Sequence, residues 1–208
     1  MASRIGLDRA AVVQAAIDIA DREGVEALTM ARLAASLGIR VPSLYAHVPG
    51  QAGLRRELWM WTVNELGERL RDSVMGRSGH EALAEFATAF RYYARDYPGR
   101  YQLTLSPPDP LDDEALDVGR RANTAFEAVI RSFGLSGVDA VHLGRAVRAS
   151  IHGFVGLEAR YALGRATGDR THFDAARRLL HAVRDAAPAA RRGAFVSAVP
   201  LHRAIDGA

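Results

Sequence analysis

Residues 29–51 bring together hydrogen-bonding side chains that could recognise a ligand. Leu44 and Val48 are four residues apart, so a helix would hold both on its inner face and turn Ser43 and His47 outward. Hydroxyl and imidazole groups on an exposed helix face can donate to phosphate oxygens and to the edges of bases. This stretch could therefore recognise a ligand such as double-stranded DNA through hydrogen bonds.

Two short helices joined by a tight turn must position these side chains. Thr29 can cap the first helix, because its hydroxyl accepts from a backbone N–H one turn on, and Leu33 and Leu37 give that helix an apolar face. Gly38 stands where a helix ends in a left-handed residue, and Pro42 falls in the first turn of the next helix. This order is the helix-turn-helix plan, whose second helix lies in the major groove.

The segment LTMARLAASLGIRVPSLYAHV resembles the DNA-binding signature of TetR-type transcriptional regulators. In that family a Thr opens the second helix, a Gly makes the turn, and an L-Y-x-H-F/V run closes the recognition helix. Members usually carry a Lys four residues after the His, whereas this chain has Gln51, which should weaken backbone binding without abolishing it. We expect phosphate contacts from Thr29, Tyr45, His47 and Gln51, base readout by Arg40 and Ser43, and contact with a thymine methyl from Val41 and Pro42.

Composition is that of an ordinary globular protein, with 208 residues, 49% of them hydrophobic and 25% charged. There is no cysteine, no apolar leader and no run of 18 apolar residues, so we expect no disulfide, no export, no membrane contact and a cytoplasmic location. The net charge is only +3 and does not by itself argue for DNA binding. Four arginines flank the motif and could contact DNA or simply be solvated: Arg4, Arg40, Arg55 and Arg56.

An enzyme of this size would need an acid–base pair, a nucleophile or a metal set. The chain has no H-E-x-x-H, no glycine-rich phosphate loop and no nucleophile elbow. His80, His142, His152 and His181 show no recurring ligand spacing. We therefore expect no catalytic residue, no metal, no cofactor and no enzymatic activity.

Apolar periodicity predicts an all-α chain of about nine helices. A three-helix head with the helix-turn-helix, over residues 1–51, is joined by a long helix to a helical ligand-binding and dimerisation body, over residues 52–208. The predicted helices span residues 8–23, two short segments between 29 and 48, and then 52–75, 81–97, 101–105, 111–133, 136–163 and 171–187. Beyond residue 188 we expect mostly irregular chain.

The last two predicted helices carry stripes of small and apolar residues. The resemblance implies that they form a four-helix bundle across a two-fold axis, in a homodimer that would bind a palindromic operator. The alternative is that they pack within one subunit. The IHGFVGLE run from Ile151 also resembles the W-H-G body type of the family, with Ile151 in place of the Trp. The expected dimer residues are Ala146, Ala149, Gly153 and Gly156 on one helix, and Phe173, Ala176, Leu180 and Val183 on the other.

By resemblance, the body would enclose a site for a small-molecule effector. Arg148 and His152 would favour an acidic or hydroxylated ligand there. Aromatic stripes at helical spacing can equally be plain core. The candidate lining residues are Trp59, Phe86, Phe90, Tyr93, Tyr101 and Phe126, together with Arg148 and His152.

These features together predict a sequence-specific transcriptional regulator, a repressor released from its operator when a ligand binds the body. The ligand would tilt the long helix from residue 52 and change the spacing of the two recognition helices. The alternative is a helix-turn-helix regulator whose body binds a protein partner or nothing. The sequence leaves activation open as well.

Overall fold

The computed structural model describes residues 7–106 and 109–161, and over these ranges it is all helical, which confirms the predicted fold class. The described residues up to 159 form one compact unit. Described helices are α1 Arg9–Glu23, a 3-10 turn Val25–Ala27, α2 Met30–Ser36, α3 Val41–Leu44, α4 Gly50–Val74, α5 Gly79–Asp96, α6 Pro98–Thr104, α7 Asp113–Arg131 and α8 Gly137–Tyr161. The predicted helix 171–187 lies outside the described residues.

The helix ends of the head follow the predicted caps. The carboxylate of Asp8 accepts from the backbone N–H of Ala11 at 2.7 Å and so caps α1. Thr29 caps α2 in the same way, with its Oγ1 accepting from the backbone N–H of Arg32 at 3.1 Å. Gly38 has φ +66°, a conformation that glycine adopts without strain, and it makes the turn between α2 and α3.

A single apolar cluster holds the head together, and it draws residues from well beyond the helix-turn-helix. Leu54 and Leu58 of α4 are fully buried in it, and Leu103 of α6 joins them. The head is thus packed on two body helices, not merely tethered to one. The head residues of the cluster are Val12, Val13, Ala16, Ile17, Ile19, Ala20, Leu28, Leu33, Ala34, Leu44 and Val48.

The body is organised around α4, whose 25 residues span about 37 Å at the usual helical rise. It crosses α7 in direct backbone contact, because a Cβ added at Gly67 would lie 2.7 Å from both Cα and Cβ of Ala122. Helices α5, α6 and α8 complete the body around this crossing. No helix within the described ranges is long and apolar enough to cross a membrane.

The predicted start of the sixth helix was wrong. We expected Pro98 to follow the fifth helix and a short helix to begin at Tyr101, but α6 begins at Pro98 itself. The fixed φ of proline suits the first position of a helix, where its missing N–H has no partner to lose. The shift matters, since it brings Gly99 and Arg100 into a helix that lies against the head.

Candidate DNA-recognition surface and ligand cavity

The outer face of α3 presents the predicted base-reading groups to solvent. Arg40, which stands just before α3, and Pro42 and Ser43 in its first turn are all exposed. Tyr45, just after the helix, keeps 58% of its surface exposed although it is a large aromatic residue. Leu44 is fully buried, but α3 ends there, so the single helix that was predicted to hold both Leu44 and Val48 is shorter than expected.

Other predicted DNA contacts already have roles within the head. Val41 is half-buried and packs on the apolar cluster of the head. Thr29 is exposed. Its hydroxyl oxygen accepts from the backbone N–H of Arg32 to cap α2, and its hydroxyl hydrogen can still be donated. His47 is half-buried. Gln51 donates from Nε2 to the backbone carbonyl of Leu28 at 3.1 Å, so its side chain ties the first turn of α4 to the head.

The arginines that flank the motif divide into two kinds. Arg40 has no carboxylate within ion-pair distance among the described residues, and Arg55 is exposed. Arg56 instead pairs with Asp112 and Glu114, donating from Nη2 to each at 2.7 Å. The hydrogen bond from Arg56 is the main reason why the pKa of Asp112 falls to about 2. Arg56 therefore fastens α4 to α7 and is not a free cation beside the DNA-facing surface.

A cavity of about 150 Å³ lies in the body, where α4 crosses α7. Helices α5, α6 and α8 supply the rest of its wall. Six of the eight predicted ligand-site residues line it, namely Trp59, Phe86, Phe90, Phe126, Arg148 and His152. The other lining residues are Val63, Leu66, Gly67, Leu70, Thr104, Gly119, Ala122, Asn123 and Ile151.

Tyr93 and Tyr101 are not among the lining residues. Tyr93 donates from its hydroxyl to Glu65 at 2.8 Å, and burial is the main reason why its pKa is raised. Tyr101 lies behind the wall, with its hydroxyl 3.0 Å from Nδ1 of His152 and its ring against Phe90. Tyr101 can therefore orient a lining residue without touching the cavity.

Arg148 and His152 form the polar end of the cavity. The guanidinium of Arg148 lies 5.0 Å from the ring centre of Phe126 and donates to Oδ1 of Asn123 at 2.9 Å. Burial lowers the pKa of Arg148. Burial also lowers the pKa of His152, and the positive charge of Arg148 lowers it further, so the imidazole is neutral near pH 7.

A charged cluster connects the body to the head. Arg100 of α6 donates from Nε to Asp21 of α1 at 2.8 Å and from Nη1 to Glu65 of α4 at 2.9 Å. Beside it, a Cβ added at Gly99 would lie 2.1 Å from the carbonyl oxygen of Ala20, so α6 touches the backbone of α1 directly. Helix α6, which contributes Thr104 to the cavity wall, is thus held against the last turns of α1.

The outer face of α8 carries the predicted stripe of small residues. Ala146, Ala149, Gly153 and Gly156 are exposed, and no described atom lies within 4 Å of a Cβ added at either glycine. Large apolar residues of the same helix are exposed as well: Val138 by 69%, Val141 by 50% and Leu157 by 50%. The partner stripe, Phe173, Ala176, Leu180 and Val183, lies outside the described residues.

Comparisons with known proteins identify the family of this chain. A family described as "Tetracyclin repressor-like, C-terminal domain" matches residues 83–183. The uncharacterized HTH-type transcriptional regulator YobS of Bacillus subtilis is 33% identical over 165 residues, which cover 79% of this chain and 86% of that protein. The uncharacterized HTH-type transcriptional regulator Rv0681 of Mycobacterium tuberculosis is 36% identical over 153 residues, covering 73% of this chain and 70% of that protein. The chain belongs to the TetR family of transcriptional regulators.

Solved structures agree with the family assignment at the level of the fold. A TetR variant of Acinetobacter baumannii, crystallised in complex with minocycline, aligns with a TM-score of 0.62 at 23% identity. The alignment covers 89% of this chain and 99% of that one. The predicted TetR resemblance is therefore confirmed, while the W-H-G body type stays a prediction.

Sequence reasoning missed several residues that the TetR-type body brings to the cavity. Asn123 could have been predicted from the sequence, because it lies three residues before Phe126 and so places an amide on the apolar face of α7. Gly67 and Gly119 could also have been predicted, since a glycine inside a long helix often marks a place where another element approaches its backbone closely. Thr104 gave no such signal, because the predicted helix 101–105 was too short to show which of its faces would meet the body. In the described part of the chain, no group of three or more metal-binding side chains occurs.

Proposed function

We propose that this TetR-family regulator represses transcription by binding an operator as a homodimer, and that a small molecule in the body cavity releases it. The observation that best supports this proposal is that α4 and α6 each border the cavity and each also contribute side chains to the apolar cluster of the head. A ligand that moves either helix must therefore disturb the packing under the recognition helix. A coupling of about 1–3 kcal/mol between such sites is typical.

The proposed DNA-binding surface is the exposed face around α3. Arg40 and Ser43 would read base edges, with Val41 and Pro42 near a thymine methyl. Phosphate contacts would come from Thr29, Tyr45, His47 and Gln51, because a hydroxyl, an imidazole or an amide N–H can each donate to a phosphate oxygen. Gln51 uses one Nε2 hydrogen on Leu28 and keeps the second for such a contact.

The proposed dimer interface is the exposed face of α8 described above. A contiguous apolar face is costly in water unless another surface covers it. Small residues at spacings of three and four allow a second helix to approach closely, so a second copy of the chain is the proposed occupant. The domain division proposed here is the predicted one, with a DNA-binding head over residues 1–51 and a ligand-binding and dimerisation body over residues 52–208.

The route from cavity to head runs through the α4–α7 crossing and through α6. Gly67 lies on the cavity wall at the crossing, and the first residue of α4 is about 25 Å away along the helix axis. A small tilt at the crossing would therefore be amplified at the end that holds the head. Thr104 and Leu103 are neighbours on α6, one lining the cavity and the other packed in the head cluster.

DNA binding by the purified chain tests this proposal first. Fluorescence anisotropy would be measured on duplexes from upstream of the gene itself and of its neighbours, at two salt concentrations. We expect salt-sensitive binding to one duplex, weakened about ten- to hundredfold by Arg40→Ala, since a good arginine–base contact contributes about 1–3 kcal/mol. Arg71→Ala is the matched control, because it removes the same charge at the far, exposed end of α4. Equal losses in both variants would contradict the assigned recognition helix.

The dimer is tested by light scattering after size-exclusion chromatography. A bulky Gly153→Trp change on the exposed face of α8 should convert the dimer to a monomer and reduce operator binding, because two half-sites must be engaged together. Arg120→Trp on the exposed surface of α7 is the control and should remain dimeric. A Gly153→Trp variant that stays dimeric would place the interface elsewhere.

A further inference from the structure

We propose that the body cavity binds a small aromatic monocarboxylate, one planar ring with its carboxylate on the guanidinium of Arg148. This inference rests on the proposed function, since it names the chemical class of the effector. It draws on three properties of the cavity that are independent of one another: its volume, the geometry of its aromatic wall, and its charge.

The volume favours a ligand with a single ring. A cavity of about 150 Å³ is the size that accommodates a benzene-sized molecule. It cannot expand cheaply toward α7, because Gly67 and Ala122 are already in contact across the helix crossing. Trp59 closes another side, where its ring lies 3.2 Å from the position of a Cβ at Gly119.

The wall favours a flat, aromatic ligand. Phe86 and Phe126 have ring centres 5.2 Å apart, and Phe90 meets His152 edge-on at 5.0 Å. Aromatic rings prefer offset or edge-to-face partners, and each such contact adds to the gain from burial. A planar ring entering among these side chains can make contacts of the same kind with more than one of them.

The charge of the cavity selects an anion. No Asp or Glu lies among the lining residues, whereas Arg148 contributes a guanidinium. In the described ranges no carboxylate lies within ion-pair distance of Arg148, and Asn123 takes only one of its five N–H donors. Arg148 is partly buried against the cavity wall and keeps part of its surface in solvent, so we place it at the mouth of the cavity, where it can meet the ligand. A carboxylate would match its remaining donors in a bidentate pair.

His152 adds a neutral hydrogen-bond donor and not a second cation. The cavity therefore favours a ligand with a single negative charge. Burial raises the pKa of Tyr101, which keeps its hydroxyl hydrogen and can donate it to Nδ1 of His152. The hydrogen of the neutral imidazole then lies on Nε2. With one guanidinium as its cation, the cavity would leave the second charge of a dicarboxylate without a partner.

The test is isothermal titration calorimetry of the full chain, without DNA, using sodium benzoate as the probe. Benzamide is the neutral analogue, acetate keeps the charge without the ring, and 2-naphthoate is one ring too large. We expect benzoate to bind, and each of the other three to bind at least about tenfold more weakly. Benzamide loses a hydrogen bond to a charged group, acetate loses the buried ring, and 2-naphthoate exceeds the volume of the cavity. Benzamide binding as tightly as benzoate, or no benzoate binding at about 10 mM, would overturn the proposal.

Variants of two arginines on the same helix locate the carboxylate. Arg148→Met keeps the length of the side chain and should weaken benzoate binding about ten- to hundredfold. Arg148→Lys keeps the charge and should retain part of the affinity. Arg145→Met is the matched control, because Arg145 is exposed and does not line the cavity, and it should bind benzoate like the wild type. Equal affinity in Arg148→Met and Arg145→Met would overturn the assignment.

The anisotropy assay with operator DNA separates this inference from the proposed function. Benzoate that binds in the calorimeter but does not release DNA would contradict ligand-gated release and leave the ligand class standing. If benzoate does not bind but another small molecule releases the operator, ligand-gated release would be supported and the proposed ligand class would be overturned.

Discussion

Arg100 donates to the carboxylate of Asp21 at 2.8 Å and so joins α6 to the first helix of the head. The same guanidinium reaches Glu65 on α4, so three helices meet at one cation. Oδ1 of Asp21 is buried and has no hydrogen-bond partner within the described residues, which makes the carboxylate dependent on Arg100. A movement of α6 cannot leave α1 in place without straining this cluster.

The first prediction concerns this contact. Asp21→Asn should lower the free energy of unfolding by about 1–3 kcal/mol, because it removes the negative charge that pairs with Arg100 in a partly buried site. It should also reduce the ability of a ligand, with benzoate as the probe, to release DNA, while operator affinity without ligand changes little. Urea denaturation and the anisotropy assay measure the two effects. Asp18→Asn is the control, since Asp18 is on the same helix and accepts from Gln14; a matching loss there would refute the prediction.

A second prediction concerns stability against pH. The pKa of His152 is lowered by burial and by Arg148. As the pH falls below about 6.5, the unfolded chain takes up a proton that the folded chain does not, so stability decreases. Asp112 affects stability at lower pH. Its pKa of about 2 in the folded chain lies below its ordinary value of 3.8, so the stability that it contributes is lost as the pH falls between those two values.

The contribution of His152 can be isolated by substitution. His152→Gln should flatten the loss of stability just below about pH 6.5, while His142→Gln, on the exposed side of the same helix, should leave it unchanged. Urea midpoints measured in steps from about pH 8 to pH 5 give the answer. A His152→Gln variant with the same pH dependence as the wild type would show that another group titrates there.

A third prediction concerns the helix crossing. Gly67→Ala should destabilise the chain by about 1–3 kcal/mol, because the new methyl would meet the backbone of Ala122 and force the helices apart. That cost exceeds the gain of about 1 kcal/mol in helix propensity. Gly144→Ala is the control, since its methyl would lie 3.5 Å from Phe126 in ordinary contact. We expect it to stabilise by about 0.5–1 kcal/mol, measured by urea denaturation.

A fourth prediction concerns the position where this chain departs from its family. Gln51→Lys should tighten operator binding and increase the slope of log affinity against log salt by about one, because one more phosphate is neutralised. The lysine can still donate to the carbonyl of Leu28, so stability should change little. Anisotropy over a range of salt concentrations provides the measurement. An unchanged slope would mean that the side chain of residue 51 contacts only the head and not the DNA.

Sequence reasoning succeeded where the determinants are local. Thr29 and Gly38 could be assigned as cap and turn, because a cap depends on a hydroxyl within one turn and a left-handed residue depends on its own side chain. The family signature is likewise contiguous, so it could be read without knowing the tertiary structure.

What the sequence determined by itself is therefore the all-helical fold, the helix-turn-helix and the TetR family. The tertiary structure alone decided that Tyr93 faces Glu65, that Arg56 is committed to Asp112, and that Arg100 links α6 to the head. Periodicity tells which face of a helix is buried but not which neighbour it meets. Arg56 and Asp112 are 56 residues apart along the chain, and only the packing of the helices brings such groups within hydrogen-bonding distance.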